Sequence, residues 1–420
     1  MLMSVFLAYV AATGSIATSD SSGIAGKGLP LAVAIERALK NHPLFQVMQA
    51  DIEAAEGTRI AAGAAPNPDL TLGPGLKHVS SEGSRFHGEA EISQVLEFPG
   101  KRALRVFLAE GDIKLRKIAV EGFRQQLRIE VSRAYYQALA AQQISLLRAE
   151  QVQSAQTFLQ AAKKRVAGGY ASDFESAKAQ ADWIAARKDL GEALAKAREA
   201  KLSLAGLMGA PTDTAFQVEG KIDNASFLQV PADPVAVALE RNAGIRAQAL
   251  QAELAKKGID AAQFASRPDL TVSPGMEYAS DEQTFGVNFS MALPVWNRGK
   301  GEIRAAEAEE RRARAELEKL KREITASVLA AQEKVRIAGD QLALYTPEFL
   351  ASLKDIMERA EKVYGQSSTT LLIYLEARRS YFESLTDYYQ ALGDWVESHT
   401  ELEAALGAPL DNDLQRNGEK

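Results

Sequence analysis

Pro68-Asp69-Leu70-Thr71-Leu72-Gly73-Pro74-Gly75 returns 200 residues later as Pro268-Asp269-Leu270-Thr271-Val272-Ser273-Pro274-Gly275, with six of eight positions identical. Each copy opens a pair of alternating apolar and polar segments inside a chain that otherwise reads as long helix. A repeat of this length in 420 residues argues for one duplicated architecture rather than several unrelated domains.

The alternation has period 2. Leu70, Leu72 and Leu76 oppose Asp69, Thr71 and Lys77, and Phe86, Ala90, Ile92 and Leu96 oppose His87, Glu89, Glu91 and Ser93. In the second copy Leu270, Val272, Met276 and Tyr278 oppose Thr271, Ser273 and Glu277. Phe285, Val287, Phe289, Met291 and Leu293 oppose Thr284, Gly286, Asn288 and Ser290. Such segments predict strands about 68–80, 85–97, 268–280 and 283–294, each with one apolar face. The pattern fits a sheet over a soluble core, and it fits transmembrane strands turned apolar to lipid and polar to a lumen. The partners able to cover such a sheet are long helices occupied elsewhere, which favours lipid. Four strands cannot close a barrel and lipid tolerates no open edge, so that reading requires copies to pool their strands. Three copies supply about twelve.

Outward from the strands, residues 31–64 and the stretch after Pro231-Ala232-Asp233-Pro234 read as helices leading into each Pro-Asp-Leu-Thr motif. No proline interrupts the chain from Lys101 to Ala210. As one helix Lys101 to Val166 spans about 100 Å. Along it Phe123, Leu127, Val131, Tyr135 and Ala138 form a narrow coiled-coil-like stripe. Gly168-Gly169 is expected to break this helix, and Ser172 or Asp173 to cap a return to about Leu207. The second half repeats the plan. A helix from Lys300 to Tyr364 is expected to kink at Pro347, turn at Gln366–Thr370 and return to Leu406. The repeats therefore span 28–220 and 221–410, followed by a polar tail, 411–420.

Composition excludes several functions. At 46% hydrophobic and 25% charged residues the chain is a folding one. A net charge of −6 argues against a nucleic-acid surface. There is no cysteine, hence no disulfide, thiolate metal site or cysteine nucleophile. Met1 to Ala12 resembles the apolar core of a secretory signal within residues 1–27, although no basic residue precedes it; a plain apolar tail is the alternative. No run elsewhere is long and apolar enough for a transmembrane helix. No Walker loop, zinc spacing or nucleophile elbow is present, so neither enzyme nor cofactor is expected. His78 and His87 could meet at a hairpin mouth, but four scattered histidines point to no metal centre.

Together these features resemble the outer-membrane efflux protein family, the TolC-like exit ducts, across residues 28–410. The repeat start Leu31-Ala32-Val33-Ala34-Ile35-Glu36-Arg37-Ala38-Leu39-Lys40-Asn41-His42-Pro43 is similar to the family's. So are the passages Leu96-Glu97-Phe98-Pro99-Gly100-Lys101-Arg102 and Leu293-Pro294-Val295-Trp296-Asn297-Arg298-Gly299, and the Gly-Ala-Pro endings at 209 and 407. The resemblance implies a mainly α fold with a small β part. It implies a homotrimer with a twelve-stranded outer-membrane β-barrel continued by a periplasmic α-helical barrel. It also implies a periplasmic adaptor (a membrane fusion protein) and an inner-membrane pump of the resistance-nodulation-division type.

On that resemblance the helical tips meet the adaptor through Arg165, Gly169, Tyr170, Ser172 and Glu175, and on the second tip through Tyr364 and Ser367, which stands where the family has Gly. Of two carboxylates that ring the closed entrance, Glu376 falls in register and Ile373 replaces the other. Leu70, Leu72, Ile92, Leu96, Leu270, Val272, Phe285, Val287, Phe289 and Met291 would face lipid. The passages look most like the heavy-metal branch; a drug-efflux or protein-secretion duct is the alternative. From another class, a soluble coiled-coil tether explains the helices but not the strands.

Overall fold

The computed structural model describes residues 28–79, 83–210, 216–220, 230–279, 282–365 and 371–407. These form two compact units, and neither coincides with a sequence repeat. Each unit takes pieces of both repeats, because the long helices run on from one unit into the other. Unit 1 comprises residues 1–42, 127–228 and 333–401; unit 2 comprises 43–126, 229–332 and 402–420.

The helices begin and end for local reasons. α1 (Leu31–Asn41) buries Ala34 and Ala38 completely. It stops at His42, whose backbone is extended, as Pro43 disfavours the helical region for the residue before it. α2 (Leu44–Gly63) then starts directly. The second repeat makes the same break by capping. Asp233 accepts the Ala236 N–H at 2.9 Å to start α5 (Pro234–Arg241). Asn242 accepts the Gly244 N–H at 2.9 Å to start α6 (Ala243–Ala265).

α3 runs unbroken from Lys101 to Ala167, 67 residues. Leu127, Val131, Tyr135 and Ala138 of its predicted stripe are buried. α4 (Asp173–Leu207) buries Ala179, Ala186 and Ala193 at seven-residue steps. α7 (Lys300–Leu342) buries Val328, Ala331, Val335, Ala338 and Leu342 at alternating steps of three and four. These are coiled-coil seams, and their alanines let neighbouring backbones approach closely. The expected kink at Pro347 is a full break. Residues 343–346 leave the helix, Thr346 Oγ1 accepts the Phe349 N–H at 3.2 Å, and Pro347 is the first residue of α8 (Pro347–Gly365). Proline suits that first position because its missing N–H would go unused there. α9 (Leu371–Leu406) returns.

Gly209 and Gly407 end the two returning helices at φ near +63° and +65°. Both lie against an asparagine of the repeat start, Asn41 and Asn242. A Cβ at Gly407 would stand 2.8 Å from the Asn242 Cα, so only glycine fits both the backbone and the space.

In unit 1 a short parallel pair, β1 (Gly28–Leu29) with β4 (Gln217–Val218), is fastened by the Tyr135 phenol, which lies 2.9 Å from the Leu29 carbonyl. In unit 2 β2 (Asp69–Val79), β3 (Gly83–Leu96), β5 (Leu270–Ala279) and β6 (Glu282–Met291) form one antiparallel sheet in that order. β6 ends short of the predicted residue 294. His78 faces Ser84 and His87 faces Gly75, so the register does not bring the two histidines together.

Candidate functional site: an open sheet and a bonded tip

In unit 2 the register gathers the apolar positions onto one face. Leu70 faces Ile92, Leu96 faces Leu270, Leu270 faces Met291, Val272 faces Phe289 and Met276 faces Phe285. Gln94 is a polar side chain on that face; its amide donates to the Pro66 carbonyl at 3.0 Å. In the single chain this face is uncovered: Leu72 is 66% exposed, Phe285 73% and Phe289 70%, while Val272 is half-buried. Bare apolar side chains on four adjacent strands form a continuous patch, which water does not favour. The other face carries Glu89 opposite Glu277, with Glu91, Thr271, Ser273 and Asn288. Asn288 donates to Glu91 at 3.4 Å, and His87 lies 3.5 Å from Glu277. Strands β2 and β6 each have a neighbour on one side only.

The passage from β3 into α3 is held by the second repeat's motif. Asp269 accepts the Phe98 N–H at 2.7 Å and pairs with Lys101 at 2.9 Å. Burial pushes the Asp269 carboxyl up, but Lys101, the Phe98 N–H and Arg105 together outweigh it and hold the group below its ordinary value. Arg105 and Arg102 clasp Glu97, and the Arg267 guanidinium lies over the Phe98 and Phe264 rings at 4.8 and 5.0 Å.

In unit 1 the two helical tips meet. Arg165, Gly169 and Tyr170 end α3 in a Schellman turn: Tyr170 N–H reaches the Arg165 carbonyl at 2.9 Å, Gly169 N–H reaches Val166, and Gly169 takes φ +76°. Ser172 precedes α4 but its hydroxyl makes no capping bond. Arg165 donates to the Tyr364 carbonyl at 2.8 Å and covers its ring at 4.5 Å. Tyr364 donates its phenol to Glu175 at 3.1 Å. Of the residues expected to greet a partner, Tyr364 is thus buried and Arg165 and Glu175 are bonded to it; Tyr170 is 75% exposed. Ser367 lies outside the described residues. Glu376 is exposed on α9, close enough for its charge to act on Arg379.

Sequence reading missed the core of this tip. Tyr364 stacks on Tyr374 at 5.5 Å, and Phe158 packs against both. Beneath them Arg378, 3% exposed, is paired with Asp182. Burial pushes the Arg378 guanidinium down to about 10, so it remains charged at neutral pH. Phe174, at the start of α4, is 73% exposed, and Leu372 and Ile373 are exposed at the start of α9.

Among the described residues no helix is long and apolar enough to cross a membrane, and no group of acidic or histidine side chains could hold a metal ion. The family model described as "Outer membrane efflux protein" matches residues 34–210 and 235–408, one match per repeat. The chain belongs to the outer membrane efflux protein family. Members of this family are passive channels and not enzymes, which places this efflux protein in the outer membrane with a periplasmic extension. Relatives include the cobalt-zinc-cadmium resistance protein CzcC of Cupriavidus metallidurans, 23% identical with 90% of each chain covered. The pyoverdine export outer membrane protein OpmQ of Pseudomonas aeruginosa is 22% identical, over 91% of this chain and 85% of its own. Among solved structures, CusC superposes with a TM-score of 0.77 at 17% identity (92% and 96% covered). VceC of Vibrio cholerae does so with 0.73 at 20% identity (91% and 97%). The efflux protein thus has the mainly helical, duplicated fold of those channels, with a β-hairpin in each repeat.

Proposed function

We propose that this efflux-family chain is the exit duct of a tripartite efflux system. It would work as a homotrimer whose three four-stranded sheets join into a twelve-stranded barrel in outer-membrane lipid. The observation that carries this is the sheet itself, apolar and bare on one face, polar on the other, with an open edge at each side. Lipid covers the apolar face, a second and third copy satisfy the edges, and the polar face lines a wet lumen. The repeats, 28–220 and 221–410, each supply one strand hairpin and one helical hairpin, and residues 1–27 serve export.

The tips are the entrance. Exposed Tyr170 and Phe174 on the first tip, with Leu372 on the second, suit docking to a periplasmic adaptor, and Ser172 and Ser367 are assigned the same role. Gly169 sets the turn that presents them. Arg165, Glu175 and Tyr364 hold the tips together, and Glu376 contributes a carboxylate ring at the constriction when three copies meet. An inner-membrane pump of the resistance-nodulation-division type supplies the energy. CzcC's name favours heavy-metal cations as cargo, and OpmQ's name favours a secreted small molecule. Deleting the protein's gene and challenging cells with cobalt, zinc, cadmium and a drug panel separates these. Sensitivity to metals alone supports the first. Sensitivity to neither class contradicts an efflux duct.

A further inference from the structure

The two repeats are related by constant shifts. β2 maps onto β5 by 200 residues and β3 onto β6 by 199, since Leu70 faces Ile92 as Leu270 faces Met291. The second shift continues without a gap out of the strands. Gly100 maps to Gly299, both at positive φ, and Lys101 maps to Lys300, the first residues of α3 and α7. Arg105 maps to Arg304.

Within one chain, β3 lies beside β5, and Asp269 before β5 receives the Phe98 N–H and Lys101 where β3 passes into its helix. The counterpart of Asp269 is Asp69, which heads the edge strand β2. The counterparts of Phe98 and Lys101 are Asn297 and Lys300, which follow the edge strand β6. The Asp69, Lys300 and Arg304 side chains are all exposed, and among the described residues none of them makes an ion pair or a side-chain hydrogen bond. Trp296, which precedes Asn297, is 95% exposed. One acceptor and its donors thus stand apart on opposite edges of the same sheet.

We infer that these half-sites complete each other between copies: Asp69 of one copy receives the Lys300 ammonium and the Asn297 N–H of the next. The occupant of the open edge is a second copy of this chain, because the chain already carries the finished form of the junction. The same shifts set the strand register. Leu96 faces Leu270 and Gln94 faces Val272 within the chain, so Val295 faces Leu70 and Leu293 faces Leu72 of the neighbour. β3 runs four residues beyond the position that matches the end of β6, and the strand β6 lacks there is the neighbour's β2. The inference rests on the shared-barrel reading and adds its register and its bonds.

Because the chain has no cysteine, engineered disulfides report this register cleanly. Directly opposed antiparallel residues lie about 4.5–5.5 Å apart, within disulfide reach, whereas diagonal neighbours lie about 7–8 Å apart. Full-length protein in membranes carrying Leu72→Cys and Leu293→Cys should link into two- and three-chain species on mild oxidation, and the slipped pair Leu70→Cys with Leu293→Cys should not. Asp69→Lys and Lys300→Asp should each lower the temperature at which the oligomer falls apart, and the two together should restore it. A wild-type trimer by light scattering that links only through the slipped pair, or through neither, overturns the register and the latch while leaving the shared barrel standing. A trimer in which the combined charge reversal restores nothing overturns the latch. A monomeric wild type removes both.

Discussion

Tyr364 donates its phenolic hydrogen to Glu175 at 3.1 Å, joining the end of α8 to the start of α4 across 189 residues of sequence. The same tyrosine is gripped from its other side by Arg165, so one buried ring ties the two helical tips of unit 1 together. A duct that opens at its tips must break these bonds, and that makes them the place to look for gating.

Tyr364→Phe keeps the stack on Tyr374 and removes only the hydrogen bond, a loss of about 1 kcal/mol. The closed tips should loosen. Single-channel recordings should show more frequent or larger openings than wild type, and identical traces would remove this bond from the gate.

Alkaline pH should open the same cluster. Burial pushes the Tyr374 phenol up to about 12 from an ordinary 10.0, and pushes Tyr364 up as well. A raised phenol favours the neutral form in the folded chain. Its stabilisation is therefore complete below pH 10 and is lost as pH climbs from 10 towards 12. For Tyr374 the loss is about 2–3 kcal/mol. The melting temperature followed by circular dichroism should fall as pH rises from 10.0 to about 12, and fall less in Tyr374→Phe.

Beneath the rings, Arg378 and Asp182 predict an asymmetry. Asp182→Asn strands a buried guanidinium that already has one unpartnered nitrogen, at a cost of about 3 kcal/mol or more. Arg378→Met removes the charge itself and fills the space with apolar atoms, so it should cost less. Thermal melts of the two variants decide; equal losses would mean that the pair matters as an attraction rather than as a neutralised charge.

Glu376 stands exposed on α9, and three copies of it would form a ring of negative charge. Such a ring attracts cations into a narrow entrance. Glu376→Ala should weaken block of the channel by divalent cations, and unchanged block would take Glu376 out of the constriction.

Much of this fold is legible in the sequence because its elements follow single periods. Leu70, Leu72, Phe285 and Phe289 reveal strands by alternation alone, and the proline-free run after Lys101 reveals α3. Gly169 reveals the tip, since one positive-φ residue ends the helix. The break at Pro347 is legible too, with Thr346 as the cap before it. The pairs that make the tip a unit were not. Arg378 and Asp182 lie 196 residues apart, and on a helix period each looks like a solvated charge. Asp269 shows the same limit. Its return in both repeats marks the motif, but only the fold shows that it holds Lys101 and the Phe98 N–H.

The central claim is that three copies share one barrel, and the mass of the detergent-extracted protein tests it most directly. Light scattering, corrected for bound detergent, should give three times the mass of the mature chain, 45.4 kDa less the export segment removed, for protein recovered from the outer membrane. A monomer or dimer of this chain would contradict the account, since a monomer leaves β2 and β6 unpaired and a dimer supplies only eight of the twelve strands.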